Sequence, residues 1–444
     1  MLYYSNIDIP IIFRGKIMNK IKENAQKLLD YLNDSPTPFH ATDNAAKQLA
    51  AAGFKELCER DPWDIAPGGK YFLRKNSSSF AAFIMGTADM AAHGIRAIAA
   101  HTDSPVFVIK PNPQMVEKGH IKLNTSPYGG VIMHTWFDRP LALAGRVLLK
   151  SDCFLVPTEK LININKPLMV IPSLAIHLNR EVNNGVKINA QSDTLPFAAL
   201  VNEELEKDDY LVNLLVNELG CTSDDILDFD IALYEYQKGQ FVGLNEEFIS
   251  SARLDDLWMV HAGLDAIVNA KPSTYTKLLY CPDNEEIGSL TPHGAQSTFL
   301  KTLIERIVPH GAFGQVMANS YFISADLGHA INPNNPQKDD PTNKTILGGG
   351  LVLKYSAMQK YATNGYTGSI FTALCQKAGV PVQKYITRSD VMGGGTIGAI
   401  MGANLGVNVV DMGLAVMGMH AIRELGATID NEYVLKAFGT FFDN

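Results

Sequence analysis

The sequence predicts an α/β protein in which a β-rich segment interrupts a domain of helices and strands. Helical periodicity comes first, with Ile21, Ala25, Leu28, Leu29 and Leu32 on one face over about 19–32. Short apolar runs broken by Pro, Gly and Asn then fill about 105–243, the spacing of strands and turns. From Ala252 onward helical and strand patterns alternate again, as in α/β domains. The expected division is 19–104 and 250–444 for the split domain, 105–249 for the insertion, and 1–18 for an N-terminal extension.

The elements follow in order. Asp34-Ser35-Pro36-Thr37-Pro38 stops the first helix, because proline cannot continue the backbone ladder and restricts the residue before it. An alanine-rich helix starts near Ala41, carries Ala45, Ala46 and Leu49, and ends at Gly53. Strands are expected at 80–84 and 95–100, and within the insertion at 106–109, 145–149 and 168–171. A helical stretch near 196–219 interrupts them. The chain shows no internal repeat and no low-complexity stretch.

Composition narrows the function classes. A length of 444 residues exceeds one ordinary core and fits two or three domains. With 46% hydrophobic and 19% charged residues the chain reads as a soluble globular protein. A net charge of −8 with no long basic run argues against nucleic acid and anionic membrane as partners. No apolar run approaches the roughly 20 residues that span a bilayer. Cys58, Cys153, Cys221, Cys281 and Cys375 are odd in number and dispersed, which reads as reduced thiols in a cytoplasmic compartment. The short apolar patch at 9–13 precedes Arg14, Lys16 and Lys20, the reverse of a secretory leader's charge order. Met18, just ahead of the first helix, is a second candidate start.

Five acidic or histidine clusters stand where strands are expected to end. They are His101-Thr102-Asp103-Ser104-Pro105, Ser251-Ala252-Arg253-Leu254-Asp255-Asp256, Asp283-Asn284-Glu285-Glu286-Ile287-Gly288, Ser324-Ala325-Asp326-Leu327-Gly328-His329, and the segment opening at His420. Ligands of α/β sheets bind outside the carboxyl ends of strands. Two divalent ions sharing a carboxylate, with His and carboxylate ligands around them, need this inventory. Singly, each has a plainer reading: His-x-Asp as a loop hydrogen-bond pair, Glu285-Glu286 as a surface pair, Asp326 and His329 as caps, His420 as a core histidine. Their joint occurrence carries the argument.

These segments occur in the order of the aspartyl aminopeptidase and aminopeptidase I family, which the chain resembles from about Lys20 to its end. Ser35-Pro36-Thr37-Pro38-Phe39-His40 and Ser389-Asp390-Val391-Met392-Gly393-Gly394-Gly395-Thr396-Ile397-Gly398 match that family too. The resemblance implies a mixed-sheet zinc-peptidase domain with an inserted β-rich dimerisation domain. It implies two zinc ions per subunit, with cobalt or manganese as substitutes. His101 and Asp326 would hold one ion, Glu286 and His420 the other, and Asp255 both. Glu285 would be the general base, and Asp103 would fix the tautomer and orientation of His101. His177 would contact the substrate's reacting end across a dimer interface, or serve as a further metal ligand. His329, Lys354 and Tyr361 would line the substrate pocket, with Lys354 facing an acidic first residue. The implied reaction is hydrolytic release of an N-terminal Asp or Glu from peptides, by a dimer-based homo-oligomer of dodecameric size.

Other readings are weaker. Gly393 to Gly398 formally satisfies G-x-G-x-x-G, but lies far from any N-terminal βαβ unit. Gly348-Gly349-Gly350 lacks the Lys-Ser/Thr of a P-loop, and neither H-E-x-x-H nor G-x-S-x-G occurs. A related two-metal deacylase or carboxypeptidase-like hydrolase shares the ligand types and differs in its pocket. A non-catalytic, metal-stabilised assembly would have no use for Glu285.

Overall fold

The structure is a computed structural model that describes residues 11–185, 187–201 and 210–443, without the side chains of 11–18. The expected extension 1–18 and the candidate start at Met18 fall outside it, apart from the helical backbone from Ile11. That first helix, Ile11–Asp34, ends at the Ser35-Pro36 turn as the prolines require. The second, Pro38–Ala51, starts three residues earlier than its alanine pattern suggests. Thr37 caps it by accepting from the His40 N–H, and Pro38 fits the first helical position, where no N–H is needed.

Nine strands form the main sheet, and its four central ones are parallel: Thr276–Cys281, Ile95–Ala99, Tyr321–Ala325 and Asn408–Gly413. Ser79–Ile84 and Leu351–Tyr355 flank this group antiparallel on either side, so the sheet is mixed. Helices cover both faces, which is why Thr276–Cys281 is buried at every position. One face packs Leu28, Leu257, Trp258, Phe438 and Phe442. The other packs Phe299, Leu303, Met317 and Met401.

A second sheet of six strands is drawn from residues between Val106 and Glu235, all paired antiparallel. Its own core holds Phe107, Trp136, Leu143, Ile231 and Leu233. The helix expected over 196–219 is corrected here. Phe197–Leu200 is a strand paired with His120–Tyr128, and the helix is Tyr210–Leu219; residues 202–209 lie outside the described ones. Paired backbone at the sheet edge overrides the helical preference of Phe-Ala-Ala-Leu.

A third, five-stranded sheet joins Gln240–Val242 and Phe248–Ser251 to Gly328–His329, Ala415–Met417 and Glu424–Ala427. Its register sets Ser251 opposite Glu424. Among the described residues no helix is long and apolar enough to cross a membrane.

Two glycines separate the tolerances of this packing. A Cβ on Gly413 would lie 1.9 Å from the Asp326 carbonyl oxygen, a backbone atom that cannot step aside. A Cβ on Gly439, inside the helix Thr428–Asp443, meets nothing within 4 Å. Gly413→Ala should destabilise by about 1–3 kcal/mol or more, and Gly439→Ala should stabilise by about 0.5–1 kcal/mol. Thermal denaturation of the two variants reads both signs; equal melting temperatures would contradict this packing account.

Candidate metal centre

The carboxyl ends of the central strands converge on one cluster. His101 and Asp103 follow Ile95–Ala99, and Asp326 follows Tyr321–Ala325. Glu285 and Glu286 stand in a single 3-10 turn, Glu285–Ile287, after Thr276–Cys281. His420, with a φ of 68°, lies in the turn between Ala415–Met417 and Glu424–Ala427. Asp255 arrives from the third sheet, where Phe248–Ser251 runs into the helix Leu254–Asn269. A cis peptide bond joins it to Asp256.

Two triads share Asp255. His101, Asp255 and Asp326 have ligand atoms within 4.8 Å of one another, as do Asp255, Glu286 and His420. His101, Glu285 and Glu286 form a third such group. His101 Nε2 lies 3.7 Å from Asp255 Oδ1, while His420 Nε2 lies 3.5 Å from Asp255 Oδ2 and 3.3 Å from Glu286 Oε1. The other ring nitrogens are engaged: His101 Nδ1 is 3.0 Å from the Asp103 carbonyl oxygen, and His420 Nδ1 is 3.2 Å from that of Gly130. With Nδ1–H donated to these oxygens, both Nε2 lone pairs turn toward Asp255.

The donor set fits cations. Asp255 Oδ1, Glu286 Oε1 and Asp256 Oδ1 are buried without a hydrogen-bond partner. Burial, then the Asp255 charge, pushes the Glu286 carboxyl up to about 10. Burial likewise raises Glu285 to about 7 and Asp326 to about 6. Burial opposes ionisation of Asp255 too, yet His101 and His420 hold its carboxyl below the usual range. Carboxylates this crowded and buried need compensating positive charge. Imidazole nitrogens and carboxylate oxygens suit zinc, and also accept cobalt or manganese.

Neighbours hold these groups in place. Asp103 accepts hydrogen bonds from the N–H of Glu285 at 3.0 Å and of Glu286 at 3.1 Å, and from the Tyr128 hydroxyl at 2.7 Å. Asp256 Oδ2 accepts from the His101 N–H at 3.0 Å. Glu424 accepts from the N–H groups of Asp255 and His420. Asp256 and Glu424 stood inside the sequence clusters without a role. Tyr128 had no signal at all, because it comes from the inserted sheet.

Lys354 is buried rather than a solvated surface lysine, with Nζ 3.3 Å from Asp326 Oδ2 and 5.4 Å from the Tyr361 ring centroid. His329 and Tyr361 both pack rings against Tyr385, with centroids at 6.1 and 6.5 Å. Tyr385 thus links His329 to Tyr361, which adjoins Lys354, and Lys354 reaches Asp326. His177 is exposed in a turn of the inserted segment and belongs to none of the ligand groups among the described residues. A cavity of about 590 Å³ touches Asp103, Tyr128 and Asn284, but none of His101, Asp255, Glu286, Asp326 and His420 lines it.

Comparison with known proteins points the same way. The family model for aminopeptidase I zinc metalloproteases (M18) matches residues 31–442. A probable M18 family aminopeptidase 2 of Clostridium acetobutylicum is 48% identical over 427 residues, covering 95% of this chain and 99% of that protein. A chain of the Ape4 and Nbr1 complex superposes with a TM-score of 0.92 at 34% identity, covering 96% of this chain and 87% of that one. The S. cerevisiae mApe1 dodecamer gives a TM-score of 0.83 at 26% identity, covering 96% and 97%.

Zinc should raise the melting temperature, since a ligand at 100 times its Kd stabilises by about 2.7 kcal/mol per site. His420→Ala should lose part of that rise. Identical melting curves with zinc and with chelator would remove the metal assignment.

Proposed function

The chain belongs to the aminopeptidase I zinc metalloprotease (M18) family, and from that premise we propose that it releases N-terminal residues from peptides using two metal ions and a glutamate base. The observation that carries the reading is the pair of ligand triads meeting at Asp255. His101 and Asp326 would hold one ion, Glu286 and His420 the other, and Asp255 both. Zinc is the proposed metal, with cobalt or manganese as substitutes. Two ions held there would supply Lewis acidity, able to acidify a water and polarise a carbonyl.

Glu285 is outside the two triads that share Asp255, and we assign its carboxylate to take a proton from the attacking water and return it to the leaving amine. Asp103 serves this step by holding the Glu285 and Glu286 backbones at fixed spacing, besides orienting His101. His329, Lys354 and Tyr361 would receive the first side chain. An ammonium carries three donors, so pairing with Asp326 does not exhaust Lys354. This supports a preference for Asp or Glu at the first position, where an unpaired carboxylate would be costly to bury.

We further propose a dimer-based homo-oligomer of dodecameric size, in which the inserted sheet pairs subunits and brings His177 toward a partner's substrate. Leu174, Ile176 and Leu178 around that histidine are exposed apolar side chains, as are Phe154 and Leu155, which supports a buried role in an assembly. A native mass near 48.5 kDa would contradict it; a twelve-fold multiple is expected. A reducing, cytoplasmic compartment is supported by five free cysteines.

A panel of free and N-terminally blocked peptides beginning with Asp, Glu or Leu tests the chemistry. Cleavage should need a free N-terminus and favour Asp and Glu; turnover of blocked peptides would instead indicate a deacylase or carboxypeptidase. Glu285→Gln should lower turnover by roughly 10²–10⁴ with metal content unchanged. Loss of metal in that variant would mean that the two glutamates exchange roles.

A further inference from the structure

Glu424 opens the strand Glu424–Ala427 and is buried. Its two oxygens serve two separate backbone groups: the Asp255 N–H donates to Oε2 at 3.0 Å, and the His420 N–H donates to Oε1 at 2.8 Å. Neither donor belongs to a regular ladder. His420 is in a left-handed turn, and Asp255 follows Arg253, itself left-handed with a φ of 59°. The carboxylate supplies acceptors that irregular backbone at these two points would otherwise lack.

A plain salt-bridge role does not account for it. The neighbouring guanidinium of Arg423 is committed to Glu235 Oε2 at 2.9–3.0 Å and to the carbonyl oxygens of Ser250, Gln237 and Lys238. Both Glu424 oxygens accept from backbone, and Glu424 belongs to none of the ligand groups among the described residues. What the side chain does is span Asp255 and His420, two members of one triad.

We infer that Glu424 is a positioning residue: it sets the spacing of Asp255 and His420, and thereby the affinity for the ion that these two residues and Glu286 hold. The inference rests on the two-metal reading above. Glu424→Gln keeps the size and replaces one acceptor by a donor, so whichever way the amide turns, one backbone N–H loses its partner.

The experiment uses the full chain, loaded with zinc or cobalt and dialysed against graded chelator well below the melting temperature. Elemental analysis counts ions per chain, and the cobalt absorption spectrum reports ligand geometry. The variant should hold one ion at chelator concentrations where the wild type holds two, with the lost site weakened about 10–100-fold and its cobalt bands gone. A variant retaining both ions as tightly as the wild type overturns the inference, as does one that sheds both only while it unfolds. If Glu424→Gln does not fold, Glu424→Asp replaces it, with both acceptors on an arm too short to reach both donors, and the same expectation holds. A wild type that takes up fewer than two ions overturns the two-metal reading itself.

Discussion

Asp255 is the point on which the rest of the site depends. One oxygen faces His101 and the other faces His420, the carboxyl is buried, and the Lys354 ammonium is paired with Asp326 in the triad shared with His101. A buried carboxylate so placed has to be matched by positive charge, from protonated histidines or from bound cations, or give up its ionisation. The surrounding hydrogen bonds suit the first outcome. Backbone N–H groups are spent on Asp103, on Oδ2 of Asp256 and on Glu424, while Oδ1 of Asp255, Oδ1 of Asp256 and Oε1 of Glu286 are left without donors.

The fold delivers this through strand order. Four adjacent parallel strands end at the same edge, and each hands one group to the centre: Glu285 and Glu286, His101, Asp326 and, through Ala415–Met417, His420. Asp255 comes by way of the third sheet, whose strands Ala415–Met417 and Glu424–Ala427 also flank His420. That small sheet is therefore part of the site's construction, since its register sets Glu424 beside the segment that carries Asp255. Moving either strand by one residue would separate Asp255 from His420.

How much of this could be read from sequence follows from range. The clusters at strand ends were legible because an apolar strand directly followed by His or Asp is a local pattern, and five of them in one chain are hard to explain as surface. The helix expected over 196–219 was not, because an edge strand at Phe197–Leu200 is fixed by a partner strand 75 to 80 residues away and not by its own composition. Glu424 was in view but without a role, since only the cross-strand register reveals what its oxygens accept. Lys354 was expected in the substrate pocket, but its pairing with Asp326 was not legible, because that contact joins segments far apart in the sequence.

The inserted sheet also contributes directly to the centre in this single chain. Tyr128, the last residue of the strand His120–Tyr128, bonds through its hydroxyl to Asp103 Oδ2 and accepts from Asn284 at 2.8 Å. Two residues on, the Gly130 carbonyl receives the His420 ring. The approach requires glycine, because a Cβ there would lie 2.9 Å from His420 Nδ1. One short segment thus touches the supports of both histidines, and it is continuous with the six-stranded sheet that we propose pairs subunits. If assembly shifts that sheet by even a fraction of an ångström, the shift reaches Asp103 and His420 through two hydrogen bonds. Through Tyr128 and Gly130 the insertion belongs as much to the site's construction as the main sheet does, and the proposed subunit pairing would act on the same segment.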